Sequence, residues 1–156
     1  MSDLQSEKNL AKHEINNRLF FRLFQVANTL HTKGTQAIEA HGVTTQQWSV
    51  LGALSRPQAT DGMSIGDLSK FLLVSRQNLS GILARLERDG LIERATDSDD
   101  RRSRKVKLST QGAQLWGKLQ EPIHDFYDKA LKDLSFDDRL AFIHYFKKLQ
   151  TNMSQI

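Results

Sequence analysis

The chain has 156 residues, 38% hydrophobic and 26% charged, with a formal net charge of +4. That is the make-up of one soluble globular domain, or one core with an appended element, and not of a disordered chain. The absence of cysteine excludes disulfides, thiolate catalysis and cysteine redox sensing. No apolar run is long enough to span a bilayer. The opening MSDLQSEKNLAKHE is polar and mixed in charge, unlike a signal peptide, so the expected compartment is the cytoplasm, with no membrane partner.

From about Glu7 to Ala40 proline is absent and glycine occurs only at Gly34. Ile15, Leu19, Leu23, Val26, Ala27 and Leu30 recur there at helical spacing. Phe20, Phe21 and Phe24 widen the apolar stripe beyond one face, so this long first helix needs partners on more than one side. HGV ends it. TTQQWSVLGAL opens a second helix, with Thr44 as cap, Gln47 reaching back from the third position, and Trp48, Leu51 and Leu54 inward. SRPQATDG is a loop punctuated by Pro57 and Gly62.

The stretch SIGDLSKFLLVSRQNLSGILARLERDG holds two short helices. Ser64 and Asp67 make a capping box for the first, with Ile65, Leu68 and Leu72 on one face. Ser75 caps the second, with Leu79, Ile82, Leu83 and Leu86 inward and Gly90 as terminator. Two short helices sharing a core form a helix-turn-helix pattern. LIERAT and RKVKLST then alternate with period two, as strands do. The sharp charge reversal DSDDRRSRK lies between them, at the tip of a hairpin. Helix-turn-helix followed by a hairpin is a winged helix. From Thr110 to Leu134 a long helix resumes, with Leu115, Trp116, Leu119, Ile123, Phe126 and Leu131 inward and a kink at Pro122. In a last helix, capped by Ser135 with Asp138, Leu140, Ile143, Phe146 and Leu149 repeat. The expected fold is thus mostly α with a small β-hairpin wing, in which a central winged helix is flanked by helices from both chain ends.

On a helical wheel the second helix of the pair turns Gln77, Ser80, Gly81, Ala84, Arg85 and Arg88 outward, with Asn78 at the margin. Small residues permit close approach to a major groove, and amides and hydroxyls suit base edges. Arginines at the margins suit phosphate. The competing reading is an ordinary solvated face. At the hairpin tip, Arg101 and Arg102 can reach a minor groove. A carboxylate, Asp100 or Asp97, can pin an arginine there through charge-assisted bonds. The competing reading is a solvated turn. The cap residues Ser64 and Ser75, together with Arg76 and Arg104, complete the expected DNA-facing set.

The segment LSKFLLVSRQNLSGILARLERDGLIERATDSDDRRSRKVKLSTQG resembles the MarR family of bacterial transcription regulators. The family pattern LE-x-x-G-L-I-x-R is matched by Leu86, Glu87, Gly90, Leu91, Ile92 and Arg94. D-x-x-D-R-R is matched by Asp97, Asp100, Arg101 and Arg102, and L-[ST]-x-x-G by Leu108, Ser109 and Gly112. Threonine is frequent where Ser109 stands. The resemblance implies a homodimer formed by helical regions 1–42 and 113–156, with a winged helix-turn-helix domain at 43–112. It implies a pseudo-palindromic double-stranded DNA operator, repression as the usual outcome, and no cofactor. It also implies that Arg102 is the minor-groove residue, held by Asp100, with Arg101 nearer the phosphates. Members of the family commonly bind a small aromatic or phenolic anion that weakens their grip on DNA. An aromatic acid or its coenzyme A thioester is the class implied here. Candidate effector residues are Phe20, Phe24, His31, Trp48 and Trp116, with Arg22 as anion partner. Plain core packing competes for each of the five, and a salt bridge for Arg22.

An enzyme is the first rival reading. His13, His31, His41, His124 and His144 are scattered, and no nucleophile–base pair, phosphate loop or metal motif appears. His124 and Asp128, four apart, are better read as a solvated helix face than as metal ligands. The second rival is a winged helix used for protein or RNA contacts without effector control.

Overall fold

The computed structural model describes the backbone of residues 2–95 and 105–156, and side chains over 7–94 and 105–156. It divides into two compact units, Met1–Ile123 and His124–Ile156.

In the first unit, helix α1 runs Ser2–Ile38 and passes into a 3-10 turn, Glu39–His41. Gly42 closes that turn at φ 72, a left-handed conformation that favours glycine. Helix α2, Thr45–Leu54, carries the expected capping box: Gln47 N–H donates to Thr44 Oγ1, and Thr44 N–H donates to Gln47 Oε1 at 3.0 Å. Strand β1 is only Met63–Ser64, helix α3 is Ile65–Leu72 and helix α4 is Arg76–Arg88. Strands β2, Ile92–Ala95, and β3, Lys105–Leu108, pair antiparallel with Arg94 opposite Val106.

Two expectations are corrected here. The sheet has three strands in the order β1-β3-β2, with Met63 opposite Val106, not two. The Ser64 cap accepts from Asp67 N–H at 3.0 Å, but the Asp67 carboxylate receives the Ser64 hydroxyl at 2.8 Å instead of its backbone N–H. Ser64 is also the last residue of β1, so its backbone belongs to the sheet as well as to the helix entry.

One apolar core serves this unit. Val50, Leu51, Leu68, Leu79, Leu83, Leu86, Val106 and Leu119 are almost fully buried, and Ile38 and Val43 join them. The end of α4 is fixed by a Schellman motif. Leu91 N–H donates to Leu86 C=O at 2.9 Å and Gly90 N–H to Glu87 C=O at 3.0 Å, with Gly90 at φ 72. Helix α5, Thr110–Ala130, starts against this turn. Ser109 N–H donates to Leu91 C=O at 3.1 Å, and the Ser109 hydroxyl donates to Gly90 C=O at 2.6 Å while accepting from Gly112 N–H.

Helix α5 continues through Pro122 and ends at Ala130, four residues short of expectation. The second unit holds its last turns and helix α6, Phe136–Met153. Asp133 adopts φ 64, and Arg139 donates to the carbonyls of Leu131 and Leu134, closing the turn between them. Ser135 and Asp138 form the expected box. The Ser135 hydroxyl, then its N–H, holds the Asp138 carboxyl below the usual range. Partial burial raises the Tyr127 hydroxyl above its usual value. No residue of α6 is buried, and Phe136, Ile143 and Tyr145 are at least 64% exposed.

Candidate nucleic-acid interface

Three features fix α4 against the unit. Its inner side, Leu79, Leu83 and Leu86, is sealed in the core. Its N-terminus is capped by Ser75, which accepts from Asn78 N–H at 3.1 Å. Its C-terminus is held by the Schellman turn. The remaining face, from Arg76 through Gln77, Asn78, Ser80, Gly81, Ala84 and Arg85 to Arg88, is exposed.

The side chains of Gln77, Asn78 and Arg85 make no hydrogen bond among the described residues. Their amides and guanidinium are therefore available to a partner. Ser80 differs. Its hydroxyl donates to Arg76 C=O at 2.8 Å, so while that bond holds it can only accept. Arg88 pairs with Asp89 at 3.3 Å in an exposed contact of little energetic weight. The Arg76 guanidinium lies over Gly66, 3.3 Å from where a Cβ would stand, beside the Ser64 cap at the start of α3. Ser64, Ser75 and Arg76 thus mark the ends of the two helices, with both serine hydroxyls engaged in capping.

The base of the wing is tied to α4. Arg94 on β2 donates through two nitrogens to the two Glu87 carboxylate oxygens, each at 3.2 Å. A bidentate pair fixes direction as well as distance. Lys107 pairs with Glu93 across the strands at 3.3 Å. Arg94 and Glu87 appeared in the sequence only as parts of a pattern, because nothing in a linear reading shows that they meet. The tip residues Asp97, Asp99, Asp100, Arg101, Arg102 and Arg104 lie outside the described residues.

The candidate effector residues separate into groups. Phe20, Phe24 and His31 share one face of α1, at spacings of four and seven residues. Arg22 stands about 200° round the helix from Phe20. It lines a surface depression with Ile15, Arg18, Leu19 and Phe21, away from Phe20 and Phe24. Near the C-terminal end of α1, His31 Nδ1 is hydrogen-bonded to Thr45 Oγ1, and Thr45 N–H donates to Thr35 Oγ1 at 3.2 Å. Trp48, one turn along α2, is packed against the core, and its Nε1 is buried without a partner among the described residues. Trp116 of α5 packs one turn further along the same face of α2: its Cη2 is 2.9 Å from where a Cβ on Gly52 would stand. His31, Trp48 and Trp116 therefore gather around α2. Phe20 and Arg22 lie 11 and 9 residues from His31, roughly 16 and 14 Å along α1. The hydrogen-bonding partners Thr35 and Thr45 were missed, since threonine near a helix end reads as a cap or spacer.

No group of three or more His, Asp or Glu side chains that could hold a metal occurs among the described residues. Among the same residues no helix is long and apolar enough to cross a membrane.

Known proteins resemble this chain over most of its length. A family model described as MarR family matches residues 41–103, which include α2, α3, α4 and β2. The transcriptional activatory protein BadR of Rhodopseudomonas palustris is 51% identical over 147 residues, covering 94% of this chain and 84% of its own. The MepR–DNA complex of S. aureus is 25% identical with a TM-score of 0.73, covering 86% of this chain and 94% of that one. NadR in complex with 4-hydroxyphenylacetate is 27% identical with a TM-score of 0.68, covering 83% and 89%.

Proposed function

The chain belongs to the MarR family of winged-helix, DNA-binding transcription regulators, which are not enzymes, and from that premise we propose that it is a homodimer whose hold on a pseudo-palindromic operator is controlled by a small aromatic anion. The observation that carries the DNA part is α4 itself. Its apolar side is sealed, while Gln77, Asn78, Arg85 and Arg88 face outward. In this reading Gln77, Asn78 and Ser80 meet base edges, while Arg76, Arg85 and Arg88 meet phosphate. In the wing, Arg102 reaches the flanking minor groove, oriented by Asp100, while Arg101 and Arg104 lie nearer the phosphates.

The dimer part assigns segments 1–42 and 113–156 to association and 43–112 to DNA binding. It is supported by large apolar side chains exposed on α1 and α6, among them Phe21, Phe24, Phe136 and Phe146. Burial of such surfaces is the ordinary drive for association.

The effector part centres on Trp48. A buried indole N–H without a partner costs about 1–3 kcal/mol, and a ligand carboxylate or phenol oxygen can satisfy it, with His31 and Trp116 nearby. NadR takes 4-hydroxyphenylacetate, an aromatic acid, the class proposed here as free acid or coenzyme A thioester. Repression, implied by the resemblance, rests on no feature of the geometry, and BadR is a transcriptional activatory protein. The proposal is therefore ligand-controlled occupancy, with its sign set by where the operator lies relative to the promoter.

The test is a titration of operator-containing and scrambled duplexes at several salt concentrations, with and without 4-hydroxyphenylacetate, benzoate and their thioesters. Sequence-preferring binding by a dimer, with a steep salt slope and a ligand-induced loss of affinity, is expected. By reciprocity the operator weakens the ligand by the same factor. A monomer at micromolar concentration, or equal binding to both duplexes, overturns the reading in favour of a protein- or RNA-contacting module.

A further inference from the structure

Six of the nine glycines lie inside α-helices, and three of the six have a steric reason within the chain. A Cβ at Gly34 would stand 2.8 Å from Thr45, at Gly52 2.9 Å from Trp116, and at Gly112 1.9 Å from the Leu91 carbonyl oxygen. Each of these gives way to a neighbour; at Gly66 the nearest atom is the movable end of the Arg76 side chain, 3.3 Å away. At Gly81, the sixth residue of α4, a Cβ would meet nothing within 4 Å among the described residues. Its backbone is ordinary helix, so no left-handed conformation calls for glycine. Glycine inside a helix destabilises it by roughly 0.5–1 kcal/mol relative to alanine. The fold therefore gains nothing from glycine here. Gly117 on α5 is equally open, but it lies off the DNA-facing helix and carries no part of the proposal.

Position on the helix gives the reason. At 100° per residue, the buried Leu79, Leu83 and Leu86, with Ile82, set the inward direction. Gly81 lies within about 30° of the opposite, outermost line, together with Gln77 and Arg88. When a helix lies in a major groove, its outermost line in the first turns faces base edges, not phosphates. A Cβ there would hold the helix away from them.

We propose that Gly81 is a specificity-determining position, left without a side chain so that the C5-methyl of a thymine can seat against the α4 backbone. The proposal rests on the reading of α4 as the recognition helix. Gln77 lies one turn before Gly81, about 6 Å along the axis, or roughly two base-pair steps. Its amide suits adenine N6 and N7, and an apolar contact with a thymine methyl is the complementary way to read an A·T pair. The methyl is the only apolar group that the major-groove edges present, and Gly81 offers a surface with no polar side chain. Each half-site therefore carries a thymine one to two steps from the base read by Gln77.

The experiment selects duplexes from a random-sequence library on the wild-type protein, then compares wild type with Gly81→Ala. Alanine is expected to raise the melting temperature by about 1–4 °C. It should lower the ratio of affinity for the selected duplex to that for a mixed-sequence duplex by at least about fivefold. Replacing the conserved thymines of the selected duplex one at a time by uracil, which lacks only the methyl, should cost wild type about fourfold at one position per half-site. Gly81→Ala should be insensitive to that replacement. Equal discrimination by Gly81→Ala overturns the proposal, as does a lower melting temperature, which would mean that the fold itself requires glycine. Indifference of wild type to uracil at every thymine overturns the identity of the seated group. Failure of the wild type to enrich any sequence is a different result: it defeats the DNA-binding reading on which the proposal stands.

Discussion

The junction between α4 and α5 is tight enough that one methyl group should break it. In Gly112→Ala the new Cβ would stand 1.9 Å from the Leu91 carbonyl oxygen and 2.9 Å from its carbonyl carbon. Both atoms are backbone, so no rotamer change relieves the overlap, and the chain must move by about 1 Å. That movement acts on three hydrogen bonds: Ser109 N–H to Leu91 C=O at 3.1 Å, the Ser109 hydroxyl to Gly90 C=O at 2.6 Å, and Gly112 N–H to Ser109 Oγ at 2.9 Å. Losing two of them costs about 1–3 kcal/mol, and residual overlap adds about 1–3 kcal/mol. The better helix propensity of alanine returns about 1 kcal/mol. The net expectation is a loss of about 1–5 kcal/mol, or roughly 2–20 °C in Tm for a chain of this length. Urea unfolding followed by far-ultraviolet circular dichroism measures it. Ser109→Thr is the control: it keeps the hydroxyl and should stay within about 0.5 kcal/mol of wild type. A Gly112→Ala protein that unfolds at the wild-type midpoint would refute the claim that this backbone contact clamps the end of α4 to α5.

Three further outcomes are expected. At the wing tip, Asp100→Ala adds positive charge, yet it should weaken operator binding if Asp100 orients Arg102, and should cost little once Arg102→Ala is present; tighter binding in matched salt means that the acid is only a solvated turn residue. Asp133→Gly should stabilise the α5–α6 turn by about 0.5–1 kcal/mol, because φ 64 is unfavourable for a side-chain-bearing residue; thermal unfolding checks this. The Asp138 carboxyl titrates below its usual value, so its contribution to stability is present above the unfolded carboxylate pKa and is lost as pH falls through the lowered native one, below about pH 4. In Ser135→Ala its midpoint, followed by NMR, should move up.

The helix entries were legible because capping is local. Thr44 with Gln47, Ser75, and Ser135 with Asp138 each bond within four residues, and each formed as expected. The core leucines of α4 were legible for a related reason, since period and burial coincide in a helix packed on one side. Strand β1 was not, because two residues have no period, and Met63–Ser64 becomes a strand only by pairing with β3, forty residues on. The end of α5 was missed for want of a stop signal. KDLSF contains no glycine, and the turn is made by Asp133 in a left-handed conformation with Arg139 on the freed carbonyls. The effector candidates show the same limit. Aromatic and histidine residues could be named singly, but which of them gather depends on the packing of α1 and α5 about α2, and Arg22 was grouped with Phe20 and Phe24 by nearness in sequence when the helix turns it away.

The contact between Gly52 and Trp116 leaves an evolutionary trace that can be sought without any protein in hand. The indole occupies the space where a side chain on α2 would begin, its Cη2 2.9 Å from that point. Drift at either position is then constrained by the other. A lineage that acquires alanine or serine at position 52 must first, or together with it, exchange the tryptophan at 116 for a narrower side chain. Across relatives aligned over both helices, bulk at the two positions should be anticorrelated, and intermediates with a large residue at each should be rare.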